Sequence, residues 1–278
     1  MTVTVVSGAT GRLGGRIARL LDDQGVQQRL LVRDASRAPR LGNAEVAVAE
    51  YADREAMRRA LDGAGTVLMV SGAESADRMD HHRAFVDAAA DAGVGHIVYT
   101  SFYRAAPDAT FTLARDHWAT EEYLRAKGLT FTSLRDNLYA DFLPMMAGDD
   151  GVIRGPGGNG RASLVAQDDI ASAAAAVVLA PEGHAGRVYD LTGPEDLSFA
   201  EAAAIISRVT GRPVRFHDET LEEAYASRAV YNAPGWQVDA WVSTYTAVAA
   251  GELAGVSGAV EELTGHPAMS LEQLLTSK

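Results

Sequence analysis

A short apolar run, a turn, and a longer stretch with apolar residues at helical spacing recur through the first two thirds of the chain. The runs at Val3–Val6, Arg29–Val32, Glu45–Val48, Thr66–Val70, His96–Thr100 and Leu129–Leu134 have the length of strands. Most are separated by amphipathic or Ala-rich segments that predict helices: Arg12–Gln24, Arg54–Leu61, Asp77–Ala92 and about Thr112–Lys127. Short turns such as Asp23-Gln24-Gly25 and Asp91-Ala92-Gly93 join helix to strand. This alternation predicts an α/β fold of the Rossmann type, a doubly wound and mostly parallel sheet with helices on both faces. Ligands of such sheets sit at the carboxyl ends of the strands.

After Leu143 the pattern changes. Residues 144–160 are rich in Gly, Asp and Pro and read as a mobile loop able to close over a site. A short strand at Ala162–Val165, a helix at Ile170–Leu179 capped by Asp168 or Asp169, and a strand at Val188–Leu191 follow. From Ser198 the chain is mainly helical, with capping boxes at Ser198/Glu201, Thr220/Glu223 and Ser270/Gln273 and one strand at Val214–His217. The expected division is a Rossmann core over residues 1–137, continued by about 162–194, and a smaller, mainly helical lobe from 138–161 and 195–278.

The join between the first strand and first helix carries the clearest chemistry: Ser7-Gly8-Ala9-Thr10-Gly11-Arg12-Leu13-Gly14. Gly8 permits a tight turn, Gly11 lets backbone approach a pyrophosphate, and Gly14 lets the helix pack close to the strand. Amide N–H groups at Thr10, Gly11, Arg12 and Leu13 then face the anion at the positive end of the helix dipole. A strand before and a helix after are the context this motif requires for dinucleotide binding.

Composition narrows the rest. Hydrophobic residues make up 47% and charged residues 22% of the 278, as in a globular protein. The absence of cysteine excludes disulfides, thiolate metal sites and cysteine nucleophiles. No apolar run approaches the ~20 residues that span a bilayer, and no leader pattern precedes the first strand, so a cytoplasmic location is the default expectation. A net charge of −12 argues against nucleic acid or an anionic membrane as partner. Arg29, Arg33, Arg37 and Arg40 stand close together against that acidic background. Such a site suits one small anionic ligand, although Arg29 and Arg40 read better as solvated.

Arg33 follows the second strand, where selectivity for the adenosine ribose is set. Arginine there pairs with the 2′-phosphate of NADP, and an acid with the 2′-hydroxyl of NAD. Arg12 can add a second cation, so NADPH is expected, with NADH less favoured through Asp34. A surface pair between Arg33 and Asp34 is the alternative. Asp53 stands where a carboxylate can accept from the adenine amino group or cap the next helix. Ser71 and Gly72 end the fourth strand beside the expected nicotinamide ribose, and Ser101 ends the fifth.

Several of these segments together resemble the NmrA-like group of atypical short-chain dehydrogenase/reductases, in particular its NAD(P)H:quinone oxidoreductase branch, which includes azoreductases. The matching segments are Gly8-Ala9-Thr10-Gly11-Arg12-Leu13-Gly14, Val32-Arg33-Asp34, His96-Ile97-Val98-Tyr99-Thr100-Ser101 and Leu134-Arg135-Asp136-Asn137. Tyr189-Asp190-Leu191-Thr192-Gly193-Pro194 and Val209-Thr210-Gly211-Arg212-Pro213 extend the likeness over nearly the whole chain. The resemblance implies an NADPH-binding Rossmann domain with a small C-terminal lobe over the nicotinamide.

Orthodox members carry Tyr-x-x-x-Lys on the helix after the fifth strand. Tyr123 and Lys127 have that spacing, but Lys127 immediately precedes Gly128 and the next strand, so it belongs at the far end of its helix. It reads as a cation at a helix C-terminus. His117, ten residues earlier, is about 15 Å nearer the catalytic edge at ~1.5 Å per residue. It aligns with the orthodox lysine, and Leu113 with the tyrosine. His117 is therefore the candidate catalytic residue, able to bond the nicotinamide ribose or a substrate oxygen; a packed histidine without a role is the alternative.

Asp80-His81-His82 lacks a His-x-x-x-His partner and reads as helix surface, so no metal is expected. Phe102, Tyr103, Asn137, Tyr139, Phe142 and Trp236 are candidates to line an acceptor pocket, with Met145 and Met146 nearby. The expected activity is NADPH-dependent reduction of a small electrophilic acceptor, a quinone foremost, with protons from water or His117. A non-catalytic NADP-binding redox sensor is the alternative from another class. The sequence leaves the acceptor and the oligomeric state open.

Overall fold

The computed structural model describes residues 3–277. Its strands are β1 (Val3–Ser7), β2 (Gln28–Val32), β3 (Ala44–Val48), β4 (Ala64–Met69), β5 (His96–Phe102), β6 (Phe131–Asp136), β7 (Val152–Gly155), β8 (Val188–Leu191) and β9 (Arg215–Asp218). The helices are α1 (Arg12–Asp23), α2 (Arg54–Leu61), α3 (Arg78–Asp91), α4 (Thr112–Ala126), α5 (Leu143–Met146) and α6 (Gln167–Leu179). They continue with α7 (Phe199–Thr210), α8 (Leu221–Arg228), α9 (Gly235–Ala249), α10 (Ala259–Thr264) and α11 (Leu271–Thr276). Seven strands form one sheet in the order β3-β2-β1-β4-β5-β6-β8, the Rossmann order with one strand added. Val5 pairs in parallel with Arg29 on one side and Val67 on the other, and Val67 pairs with Ile97.

The chain divides into two compact units. The first comprises the residues up to Ser101 with Asp116–Arg135 and Ile170–Tyr189. Its core includes Val5, Met57, Val67, Phe85, Ile97, Tyr99 and Leu124. Central strands covered on both faces explain why their sequences are continuous apolar runs rather than alternating ones. Arg29, expected to be solvated, lies within β2. Its Nε donates to Glu45 at 2.6 Å, and Nη1 donates to the carbonyls of Ala60 and Asp62 at 2.9 and 2.8 Å. It ties β3 and the end of α2 to β2.

The second unit comprises Phe102–Arg115, Asp136–Asp169 and the residues from Asp190 onward. β7 and β9 pair in parallel, and Phe199 packs between Phe216 and Tyr245 at 5.3 and 5.0 Å. All three expected capping boxes are formed. Residues 144–160 are not a structureless loop, because they contain α5 and β7. Several of the glycines that suggested a loop are packing requirements. A Cβ on Gly155 would stand 2.2 Å from the Tyr245 ring, and one on Gly160 would stand 2.0 Å from the Val248 carbonyl. Ala162–Val165 makes only isolated bridges, from Ala162 to Leu197 and from Val165 to Tyr139. α6 begins at Gln167, so neither Asp168 nor Asp169 is its cap. The Gln167 N–H donates to Asp141 at 2.9 Å, while Asp169 accepts from the Met269 N–H at 2.7 Å.

Candidate functional site

The first unit builds an anion cradle at the end of β1. Gly8 adopts φ +65°, and its carbonyl accepts the Gly11 N–H at 2.8 Å, which closes the turn. Gly11 then stands at the N-cap of α1, where no side chain bonds the helix start. The first turn of a helix has amides without intrahelical acceptors, and here that end is open to an outside anion. A Cβ on Gly14 would lie 2.4 Å from the Gly8 carbonyl, so strand and helix approach only because this residue is glycine. Gly11 is exposed, and a Cβ there would meet only the Gly8 carbonyl, at 3.2 Å. A side chain at Gly11 would therefore occupy the cradle rather than the core.

At the end of β2, Arg33 and Asp34 are both exposed. Asp34 is engaged locally: its Oδ1 accepts the Ser36 N–H at 2.9 Å and the Ser36 hydroxyl at 2.7 Å. Those bonds hold its carboxyl below the usual carboxylate range, the hydroxyl contributing most. No ion pair joins Arg33 to Asp34 among the described residues. Asp53 caps α2, accepting the Ala56 N–H at 2.9 Å.

The loop after β4 is held close to the cradle. Ser7 Oγ accepts the Val70 N–H at 2.9 Å, and the Ser71 N–H donates to Thr100 Oγ1 at 2.8 Å. Gly72 lies between two side chains of α3. Its N–H donates to His82 Nε2 at 2.9 Å and its carbonyl accepts Arg78 Nε at 3.0 Å. The same guanidinium reaches Asp116 at 3.1 Å and His117 Nε2 at 3.0 Å, and His117 Nδ1 meets the Tyr99 hydroxyl at 3.0 Å. His82, expected on the helix surface, is 0% exposed, with Nδ1 2.8 Å from Thr120 Oγ1. Burial, reinforced by Arg78, pushes His82 down to about 3 and His117 well below the ordinary histidine value. Ser101 donates to Glu121 at 2.6 Å, and Glu121 also takes a two-pronged contact from Arg135 at 2.9 and 2.6 Å.

In the second unit the expected pocket residues have varied surroundings. Phe102 is buried against Phe111, with ring centroids 4.8 Å apart. The Tyr103 hydroxyl donates to the carbonyls of Ala254 and Gly255 at 3.1 and 3.0 Å. Asn137 is fully buried, its amide donating to Ser163 Oγ and the Leu253 carbonyl. Tyr139 donates to Asp136 at 2.9 Å and packs on the exposed Phe142 at 5.6 Å. Burial pushes the Asp136 carboxyl well up. Trp236 is half-buried in the first turn of α9.

Residues 1–234 match the NmrA-like family. The chain belongs to that family. Among its relatives, NAD(P)H azoreductase of Xenophilus azovorans is 31% identical over 274 residues, covering 97% of this chain and 95% of that protein. A (4-alkanoyl-5-oxo-2,5-dihydrofuran-3-yl)methyl phosphate reductase of Streptomyces griseus is 34% identical, covering 95% and 93%. The crystal structure of the NADPH-dependent quinone oxidoreductase of Escherichia coli, complexed with NADPH, superimposes with a TM-score of 0.90 at 29% identity. It covers 99% of each chain.

In this NmrA-like chain the Tyr123/Lys127 pair lies where its helix ends. The Tyr123 hydroxyl donates to Asp87 at 2.9 Å, and Lys127 Nζ stands 2.6 Å from the same carboxylate. Asp87 belongs to the last turns of α3, whereas Arg78 and His82, the neighbours of the His117 end of α4, belong to its first turns. Arg78, His82, Thr100 and Glu121 were not singled out as site residues from the sequence. For Arg78, His82 and Glu121 the signal is a pair of polar stripes, Arg78/His82 on α3 and Asp116/His117/Thr120/Glu121 on α4, at the spacing that places side chains on one helix face. No described helix is long and apolar enough to cross a membrane.

Proposed function

We propose that this chain is an NADPH-dependent oxidoreductase that reduces a small conjugated electrophile, with quinone-type acceptors foremost. The observation that carries the proposal is the glycine cradle, open above Gly11 and followed by Arg33 beside an Asp34 already bonded to Ser36. Gly8, Thr10, Gly11, Arg12 and Leu13 would hold the pyrophosphate, Arg33 the 2′-phosphate and Asp53 the adenine. Ser71, Gly72 and Ser101 would flank the nicotinamide ribose. Bound NADPH supplies a hydride. The three relatives support the acceptor class: an azo bond, a quinone and an unsaturated lactone ketone are all conjugated groups that accept hydride. Of the residues expected at the acceptor, we assign the contacts to Tyr139, Phe142 and Trp236, which keep exposed surface, whereas Phe102, Tyr103 and Asn137 are buried against protein partners. A reductase of this kind needs a compartment that keeps its cofactor reduced, so we place it in the cytoplasm.

Steady-state NADPH oxidation with a panel of quinones, azo dyes, butenolides and simple ketones tests this reading. Turnover with conjugated acceptors and little with simple ketones is expected. Tight NADPH binding without oxidation by any acceptor would replace the enzyme with a redox-sensing protein.

A further inference from the structure

We propose that Arg78, His82 and His117 are positioning residues that fix the Ser71-Gly72 backbone for the nicotinamide half of the cofactor, His117 acting by locking the Arg78 guanidinium rather than by giving a proton. The inference rests on the NADPH reading above. It starts from how completely one peptide segment is held by side chains. Thr100 takes the Ser71 N–H, His82 takes the Gly72 N–H, and Arg78 takes the Gly72 carbonyl. A Cβ on Gly72 would stand 3.2 Å from His82 Nε2, so the imidazole lies directly against the backbone. Val70, two residues earlier, is tied to Ser7 at the edge of the cradle. The clamped segment thus shares the strand-end edge with the phosphate site.

The proton positions follow from the donors. A guanidinium only donates, so His117 Nε2 must be bare, its proton must sit on Nδ1, and Nδ1 donates to the Tyr99 hydroxyl. A backbone N–H likewise only donates, so His82 Nε2 is bare and its Nδ1–H donates to Thr120. Thr120 is free to accept because its own hydroxyl proton goes to the Asp116 carbonyl at 2.7 Å. Both rings are neutral acceptors with their protons directed at protein oxygens. The charged and titratable groups facing them are Arg78, Arg135, Asp116 and Tyr99, together with His81 near His82. Arg78 is 4% exposed, His82 0% and His117 6%. A buried guanidinium is costly unless its geometry is fixed by partners on several sides. Gly72, Asp116 and His117 provide those partners.

The test pairs a spectroscopic signature with two substitutions. Side-chain 15N NMR of the full chain should show His82 and His117 as Nδ1–H tautomers, neither titrating from about pH 8 to about pH 5, where an ordinary histidine gains its proton. An Nε2–H tautomer, or titration near 6, at either ring would overturn the clamp. His117→Leu should raise the NADPH dissociation constant by about tenfold, the worth of a hydrogen bond to a charged group. His117→Gln, whose side-chain oxygen can accept from Arg78, should restore most of the loss. Equal loss of kcat in both variants with unchanged NADPH affinity would instead make His117 a proton donor. If His117→Leu does not fold, the NMR result and the His117→Gln comparison still decide. Absence of NADPH binding in the unaltered protein would refute the functional reading separately, since the tautomers are read without cofactor.

Discussion

Cofactor choice gives the sharpest quantitative test. Arg33 is exposed beyond β2 and forms no ion pair with Asp34, whereas Asp34 accepts two bonds from Ser36. A ligand approaching this corner meets a guanidinium open to it and a carboxylate turned into its own short turn. A hydrogen bond to a charged group contributes about 1.5–3 kcal/mol, and an exposed site screened by solvent falls at the low end of that range. A preference for NADPH over NADH of about tenfold follows. Arg33→Ala should remove most of it by weakening NADPH alone, and Asp34→Ala should leave NADH affinity unchanged. Titration calorimetry with both cofactors on the three proteins measures this. Repeating it at higher salt should narrow the preference, because screening lengths shrink from about 10 Å at 0.1 M to 3 Å at 1 M. Tighter NADH binding in the unaltered protein, weakened by Asp34→Ala, would refute the reasoning.

Gly11→Val should fold normally and lose NADPH binding, since its side chain enters the cradle. Gly14→Ala should destabilise by about 1–3 kcal/mol through a strand–helix clash, measured by urea unfolding. Tyr123→Phe and Lys127→Ala should change kcat less than twofold, and a loss of about a hundredfold in either folded variant, or 2.7 kcal/mol, would place that helix end at the reaction. Buried neutral His82 makes stability depend on acid: its folded value is about 3 against an ordinary 6.5, so the unfolded chain binds the proton first. The His82 share of stability is present above about pH 6.5 and falls by up to ~1.4 kcal/mol per pH unit toward 3, with His117 lowered in the same direction; His82→Gln should remove its share of the slope in unfolding midpoints between those limits, leaving that of His117.

The cradle was legible in the sequence because its requirements are local: a strand, three glycines at fixed spacing, and a helix, all within fourteen residues. The central strands were legible for the same reason, since strands covered on both faces carry near-continuous apolar runs. β7 was hidden because glycine carries two meanings. At Gly155 and Gly160 it marks the approach of Tyr245 and Val248, residues far along the chain, and nothing nearby distinguishes that from a loop. The misplacement of His82 has a similar cause. Adjacent histidines on a helix point about 100° apart, so one can turn inward, but what selects His82 is Gly72 and Thr120, and Thr120 is 38 residues away. His117 could be located by counting turns of α4, but its ring is oriented by Tyr99 and Arg78, 18 and 39 residues away.

These long-range contacts bear on the chemistry. The two ends of α4 have different work: Tyr123 and Lys127 share Asp87 at one end, while His117, Thr120 and Glu121 serve the strand-end edge at the other. At that edge the Ser101 hydroxyl is donated to Glu121, and both nitrogens of His117 are committed to protein partners. The Ser101 hydroxyl and the His117 ring at this edge are therefore bonded to other protein side chains. Reducing an isolated ketone leaves an alkoxide that needs a proton donor positioned within hydrogen-bond reach. Hydride addition to a quinone, an azo bond or an unsaturated ketone places the charge on a delocalised anion that water can protonate. An edge whose Ser101 hydroxyl and His117 ring are already bonded within the protein is thus better matched to conjugated acceptors than to simple carbonyls, and the sharpest discrimination in the acceptor panel should fall between those two groups.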